Sequence, residues 1–534
     1  MTSTNSFTIT GVLVVDGSES KGFRGDVVVE RGIITAVSKK FLKSRTGSVI
    51  NGDNLVLAPG FIDMHSHSDV GVIDDKAHLA KVTQGVTLEV VGQDGLSYVP
   101  ANTEIQSELR SQLYGWNGPL NNVDWNFKSV SEYLSKIDEG CAVNVAYLVP
   151  HGTVRMLAKG LNPGPPTEAE LNKMKILVRE GMQQGAFGLS TGLTYVPAMY
   201  ADTNELIELC KVVNEFGGYY CPHHRNYGSK IFSAIEECIS IALNSKIPLH
   251  LTHCHLNYPR YHGRAPELIN LINHGRNQGV DVSLDTYPYL AGSSYLHALL
   301  PSWIQAGGMD NLRIKLRDIQ IQKQIIEALD VTGSDAAQGG TVNWDKVVIS
   351  GVEQLGNKKF VGRTVSEIAS TLNISASQFY LNLCIEEDFR AGMVVFGGNE
   401  ENVRIIMKDP KHMVGSDGIL HGDKPHPRTY GTFARYLGHY ARQEGEITLE
   451  GAVARMTGRP AKRLGLLDRG FIRVGNKADL VLFDYNSVID RATYESPKKP
   501  AAGFEYVWIE GWPTLANRAR TGLTPGKGLR KVQN

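Results

Sequence analysis

Apolar and polar positions alternate through the first fifty residues. "FTITGVLVVDG", "GDVVVERGIITAVS" and "GSVINGDNLVLAPG" read as short antiparallel strands separated by Gly/Asp turns. The same alternation returns in "GFIRVGNKADLVLFDY" and "GFEYVWIEGWPT" near the other end. A β pattern at both termini around a different middle predicts one small β-sandwich built from both chain ends, residues 1–58 and 469–534.

The middle, residues 59–468, changes period. Apolar runs that end in polar residues alternate with helical patterns such as "TEAELNKMKILVREGMQQG", "DTNELIELCKVVNEFG" and "SKIFSAIEECISIALNSK". The runs are "GFIDMHSH", "GVTLEVVGQD", "AVNVAYLVPHG", "AFGLSTGLTY", "GYYCPHHR", "PLHLTHCH", "DVSLDTYPY" and "HMVGSDG". Eight such strand–helix units predict an α/β fold, a (β/α)8 TIM-like barrel of parallel strands. The seventh and eighth strands are separated by far more chain than a usual connection. Residues of about 300–400, including "DNLRIKLRDIQIQKQIIEALD", are expected to form a helical insertion and a candidate lid.

Composition narrows the function. Lys plus Arg and Asp plus Glu both number 55, so neither nucleic acid nor an anionic membrane is an expected partner. "MTSTNSFTIT" lacks the basic and apolar regions of a secretory signal, "KVQN" is no recognisable address, and no run of about 18 apolar residues predicts a spanning helix. Six scattered cysteines without a CxxC pair fit reduced thiols. The expectation is a cytoplasmic enzyme with a small-molecule substrate.

The strands end in His67, Asp94, His151, Thr194, His223, His253, Tyr287 and Asp417. In such barrels the C-terminal ends of the strands carry the active site. Alternate strand residues point the same way, so His65 and His67 both face the barrel axis. Taken alone, the pair is as readily a polar strand end as a metal site. Asp94, His223 and His253, from three other strands, converge with it when the barrel closes, and imidazole with carboxylate suits Zn²⁺ and related ions. The neighbouring His224 is expected to point outward. His255 shares the face of His253 but lies nearer the loop, closer to substrate than to metal. Asp417 read by itself is an Asp-Gly turn; beside these ligands it is a candidate proton acceptor and donor.

These residues resemble the amidohydrolase superfamily, and more closely its D-aminoacylase (N-acyl-D-amino-acid deacylase) family. The resemblance is carried by "PGFIDMHSHSD", "QGVTLEVVGQDG", "GAFGLSTGLTYVPAMYADTNEL", "HHR", "DTYPYLAGSSYLHALLPSW", "GSDG" followed by "HPRTYGTFAR", and "GRPAKRLGLLDRGFIRVGNKADLVLFD". It implies a barrel with a small β-sandwich, and zinc, as one or two ions, with other divalent metals as alternatives. It implies hydrolysis of N-acyl-D-amino acids to a carboxylate and a free D-amino acid. It also implies that His65 and His67 form one metal pair, that His223 and His253 ligate the tighter site, and that Asp417 is the catalytic acid/base.

Two departures stand out. Asp94 in "GQDG" replaces a family cysteine, and strand four carries no lysine to bridge two metals, which leaves Asp94 as the bridge. His255 in "HCH" replaces a family lysine associated with the substrate carboxylate, which points to apolar rather than acidic substrate side chains. The expected chemistry is attack of metal-activated water on the amide carbonyl, with Asp417 passing the proton to the leaving nitrogen. Tyr195, His255, Tyr287 and Arg428 are the substrate-binding candidates. His151 is a candidate support residue, and Arg225 either fixes its loop or reaches substrate. A cyclic-amide hydrolase of hydantoinase or dihydroorotase type is the alternative enzyme. A non-enzymatic scaffold is disfavoured by the complete ligand set.

Overall fold

The computed structural model describes residues 5–40, 42 and 46–532. The opening "MTST" and closing "QN", on which the signal and address readings partly rest, lie outside the described residues. Among the described residues no helix is long and apolar enough to cross a membrane.

All eight expected barrel strands form. They are Phe61–Asp63, Val86–Val91, Asn144–Pro150, Gly188–Gly192, Tyr219–His223, Leu249–Leu251, Val282–Thr286 and His412–Val414. They pair in parallel and in chain order in one eight-stranded sheet. All their residues are buried, and most are apolar, as in parallel strands covered on both faces, but polar residues such as Glu89, His250 and Asp285 are buried among them. The sheet curls until its edges meet: Met64 N–H donates to Val414 O (3.1 Å), Asp417 N–H to His65 O (2.8 Å) and His67 N–H to Gly418 O (3.1 Å). The first and last strands are thereby joined at their C-terminal ends, where the histidines and Asp417 emerge.

The three quoted helical patterns become helices Glu168–Gln183, Thr203–Glu215 and Ile231–Ser245. The first begins with a reciprocal cap, in which Thr167 and Glu170 satisfy each other's backbone N–H groups.

The insertion departs from a purely helical expectation. "DNLRIKLRDIQIQKQIIEALD" is divided into helices Gly308–Lys315 and Ile319–Glu327, the second capped by Asp318. Two further strands, Val347–Gly351 and Gly392–Phe396, join Ala291–Tyr295 in a three-stranded antiparallel sheet. The insertion has its own apolar core, including Leu312, Ile325, Phe379 and Tyr380.

The terminal segments gather in one nine-stranded sheet in which Val56–Pro59 from the front of the chain pairs with Leu480–Phe483 from the back. Its pairing is mixed, not uniformly antiparallel: Phe7–Val14 runs antiparallel to Phe23–Glu30 but parallel to Ser48–Asn51 and Val56–Pro59. Only the second half of "GFIRVGNKADLVLFDY" is a strand. Phe61 couples sheet and barrel, with its ring 5.9 Å from Phe433 and 6.3 Å from both Phe483 and Phe504.

Candidate metal centre and substrate cleft

Asp94 sits at the middle of four imidazoles. Its Oδ1 lies 3.5 Å from His65 Nε2 and 3.4 Å from His253 Nε2. Its Oδ2 lies 3.7 Å from His67 Nε2 and 3.1 Å from His223 Nδ1. Two overlapping trios result, His65–His67–Asp94 and Asp94–His223–His253, each with ligand atoms within 4.8 Å of one another. Zinc ligands at about 2.0–2.1 Å in a tetrahedron stand about 3.3 Å apart, so the donors are spaced as such a shell requires.

The hydrogen bonding tests the fit further. Both ring nitrogens of His65 and Oδ1 of Asp94 are buried without a hydrogen-bond partner. Buried polar atoms rarely go unpaired. Of the two divergent His65 ring nitrogens it is Nε2 that lies 3.5 Å from Asp94 Oδ1, and these two unpaired atoms call for an electrophile between them. The outer nitrogens of the other pair are engaged, His223 Nε2 with Thr194 Oγ1 (2.7 Å) and His253 Nδ1 with Tyr227 OH (3.0 Å), which leaves Nδ1 and Nε2 facing Asp94. Burial drives His65 down to about 4, against the pull of Asp94 and Asp417, so the ring is neutral at pH 7 as a ligand must be. Burial would raise the Asp94 carboxyl, but the positive fields of His223, His65 and His253 overcome it and hold it well below the usual range. The donor set fits one or two divalent cations.

Three of these residues have unusual backbone. Asp94, His253 and Asp417 have φ of +54°, +29° and +49°. Such conformations in non-glycine residues persist where surrounding contacts over-determine them, commonly at functional sites.

Asp417 Oδ1 is 3.1 Å from His67 Nε2, on the His65/His67 side of Asp94. Its Oδ2 is 2.8 Å from NH1 of the wholly buried Arg428, a contact of ion-pair distance whose angle is poor for a hydrogen bond. Burial would raise Asp417, but Arg428 and then His65 reverse the effect and hold it depressed. The Arg428 guanidinium lies 4.4 Å from the Tyr287 ring centre.

A cavity of ≈ 630 Å³ opens over this cluster, lined by His67, Asp94, His223, His253, Asp417 and Arg428 at its floor. Tyr195 and Tyr287 also line it. The insertion supplies apolar wall through Val342, Val347, Met393 and Val395, so it shapes the cleft and does more than buttress the barrel.

His255 is the exception among the substrate-binding candidates. It does not reach the cavity wall but packs behind Tyr287, with ring centres 4.3 Å apart. Burial, with His253 and Arg428 nearby, pushes it down to about 3, so it brings no positive charge. His224 turns away as expected and stacks on Tyr227 at 3.7 Å. His151 Nε2 pairs with Glu205 Oε1 at 2.7 Å, away from the cluster. Arg225 grips Glu237 at 2.8 and 2.9 Å and so fixes its loop.

Residues 48–514 match the model of the family described as "Amidohydrolase family". The chain belongs to the amidohydrolase family. Among curated amidohydrolase relatives it is 32% identical to a D-aminoacylase of Alcaligenes xylosoxydans xylosoxydans, over 98% of this chain and 97% of that one. It is 31% identical to an N-acyl-D-glutamate deacylase of the same organism, over 98% and 96%. Among solved structures it resembles an N-acyl-D-glutamate deacylase from Bordetella bronchiseptica complexed with zinc and a phosphonate inhibitor. That match has a TM-score of 0.82 and 29% identity, covering 98% of this chain and 99% of the other. A D-hydantoinase at 14% identity and TM-score 0.55 shares the fold alone.

Several residues of this amidohydrolase site escape a reading of strand ends. Asp285 Oδ1 accepts from His253 N–H (2.8 Å) while Oδ2 meets His250 Nε2 (2.9 Å), which fixes the turn carrying His253. Its place on the strand Val282–Thr286, two residues before Tyr287, was a usable signal. Trp116, 4.4 Å from the His67 ring, lies in the one-turn helix Tyr114–Asn117, too short to leave a periodic signal.

Proposed function

We propose that this amidohydrolase hydrolyses the amide bond of N-acyl-D-amino acids with apolar side chains, releasing a carboxylate and a free D-amino acid. The observation that carries the reading is Asp94 shared between two histidine pairs, with Asp417 beside one of them and the Arg428 guanidinium behind Asp417. His65, His67, Asp94, His223 and His253 would hold one or two Zn²⁺ ions. When bound, the metal supplies a water acidified toward neutrality and a positive field that polarises a carbonyl.

The chain's own groups do the rest. Asp417, kept anionic by Arg428, accepts the proton of the attacking water and delivers it to the leaving nitrogen. Arg428 and Tyr287 receive the substrate carboxylate, and Tyr195 bounds the cleft opposite them. Neutral, recessed His255 supports Tyr287 and adds no second cation. The apolar stretch of the insertion wall, Val342, Val347, Met393 and Val395, supports a preference for apolar side chains, although Lys346 lines the same wall. We assign residues 59–468 to the barrel body and its insertion, and residues 1–58 and 469–534 to the terminal β domain. Six free, buried cysteines support a reducing, cytoplasmic location.

The test is turnover of N-acetyl-D- and L-leucine, methionine, phenylalanine and glutamate by zinc-loaded protein. The D-series of apolar side chains is expected to lead. Equal or better turnover of the L-series would overturn the stereochemical assignment.

A further inference from the structure

The residues that aim Asp417 lie beneath it, at the barrel's seam. The two strands that meet there, Phe61–Asp63 and His412–Val414, are three residues long, and no ladder joins them along their length. Beside the three backbone bonds that join their C-terminal ends lies a buried ionic cluster. Lys81, 0% exposed, directs its ammonium at Asp63 Oδ2 (2.6 Å), Ser416 Oγ (2.8 Å), Glu89 Oε1 (3.0 Å) and Ser66 Oγ (3.1 Å). Asp63 Oδ1 accepts from the backbone N–H of His65 (3.2 Å) and of Ser416 (2.8 Å). One carboxylate therefore binds the chain on both sides of the seam, next to the histidine pair and next to Asp417.

Ser416 is the joint. Its hydroxyl donates to Asp63 Oδ2 at 2.6 Å, and accepts from Lys81 Nζ and from Gly418 N–H (3.1 Å). A hydroxyl has one donor and two acceptor sites, and all three are used. The Gly418 bond closes the turn around Asp417, the residue with φ of +49°. His65 O holds the Asp417 N–H from across the seam at 2.8 Å. Burying a lysine with two carboxylates is a poor route to stability, because desolvation costs about as much as the pairing returns. The cluster has a geometric use: every one of its bonds at Ser416 restrains the turn that carries Asp417.

We propose that Lys81 and Asp63, acting through the Ser416 hydroxyl, are positioning residues for Asp417, locking its turn in the left-handed form that aims the carboxylate at the His65/His67 side of the cleft. The proposal rests on the acid/base reading of Asp417.

The experiment is a double-mutant cycle of Ser416→Ala and Asp417→Asn in zinc-loaded protein, with kcat, KM, zinc per chain and Tm recorded for each. Residues that orient a functional group typically cost 10–100-fold when removed. Ser416→Ala is expected to lower kcat by about that factor, with KM within about twofold and zinc per chain unchanged. In the Asp417→Asn background the same substitution should change kcat less than about twofold, because nothing remains to be aimed. Equal losses in both backgrounds, or no loss in the single variant, overturn the proposal. Near-normal turnover of Asp417→Asn overturns it as well and removes the acid/base reading with it, so the two failures are told apart. Should Ser416→Ala not accumulate as folded protein, Ser416→Cys keeps the shape, weakens the acceptor and is read by the same cycle.

Discussion

Arg428 NH1 lies 2.8 Å from Asp417 Oδ2, and this pair is buried at the floor of the cleft. One cation faces both the carboxylate assigned to proton transfer and the space assigned to the substrate's acid group. Under these assignments a single side chain couples binding and chemistry.

Replacing Asp417 with Asn conserves size and removes the base. Turnover should fall by at least ~10²-fold, the usual contribution of a positioned acid/base, with zinc per chain and Tm close to wild type. Steady-state kinetics with elemental analysis after gel filtration checks this, and a fully metallated variant with near-normal turnover would remove Asp417 from the mechanism.

Replacing Arg428 with Met should raise KM for N-acyl-D-amino acids by about tenfold or more, the scale of a charge-assisted contact of about 1.5–3 kcal/mol. It should also move the acid limb of the kcat profile to higher pH. The sign follows from the depressed Asp417 carboxyl: Arg428 opposes its protonation, so without Arg428 the base is lost earlier as pH falls. An acid limb that stays in place or moves lower contradicts the assigned pairing.

Asp94 is the link between the two histidine pairs. Asp94→Ala should lower both zinc content and activity, and excess Zn²⁺ should restore little turnover. Asp94→Cys should rebind zinc better than the alanine variant, since thiolate is a good zinc ligand. Normal stoichiometry and activity in Asp94→Ala would end the bridging role. Unchanged zinc in a His65→Ala, His67→Ala double variant would reduce that pair to polar residues closing a strand.

His65 makes the metal-free protein acid-sensitive. Its folded value of about 4 lies below the unfolded value near 6.5. Below 6.5 the unfolded chain takes up a proton that the folded chain refuses. The stabilisation is thus complete above 6.5 and lost as pH falls toward 4, by up to ~3 kcal/mol. Chelator-treated protein should melt progressively lower across this window, and His65→Asn should flatten the dependence. Parallel pH profiles for the two proteins would refute the assignment.

The candidate metal donors were legible because several polar residues fall together at the ends of apolar runs, where a barrel's mouth lies, although Glu89, His250 and Asp285 are polar residues buried within strands. His65, His67, Asp94, His223 and His253 therefore announce themselves at the ends of apolar runs. Pairing direction was not legible: alternation in Phe7–Val14 records which face is buried, not whether the neighbour runs parallel. The strands Val347–Gly351 and Gly392–Phe396 are five residues each, too short to stand out among helical patterns. Lys81 in "HLAKVTQG" reads as an ordinary surface lysine, because nothing local records that Asp63, Glu89 and Ser416 enclose it. His255 lies beyond the end of the strand Leu249–Leu251, where alternation no longer sets the face, and packing places it behind Tyr287.

The pairing of Val56–Pro59 with Leu480–Phe483 also bears on how the chain is made. The opening β segments leave the ribosome first, while the strand that Leu57 faces, through Leu482, is synthesised after the whole barrel. At about 5–20 residues per second, those segments wait on the order of a minute with an apolar edge unpaired. Contacts this distant in sequence also close slowly. Newly made chains should therefore depend on protection of this edge during translation, and a circular permutant that joins the two β segments at one end should shorten the exposure.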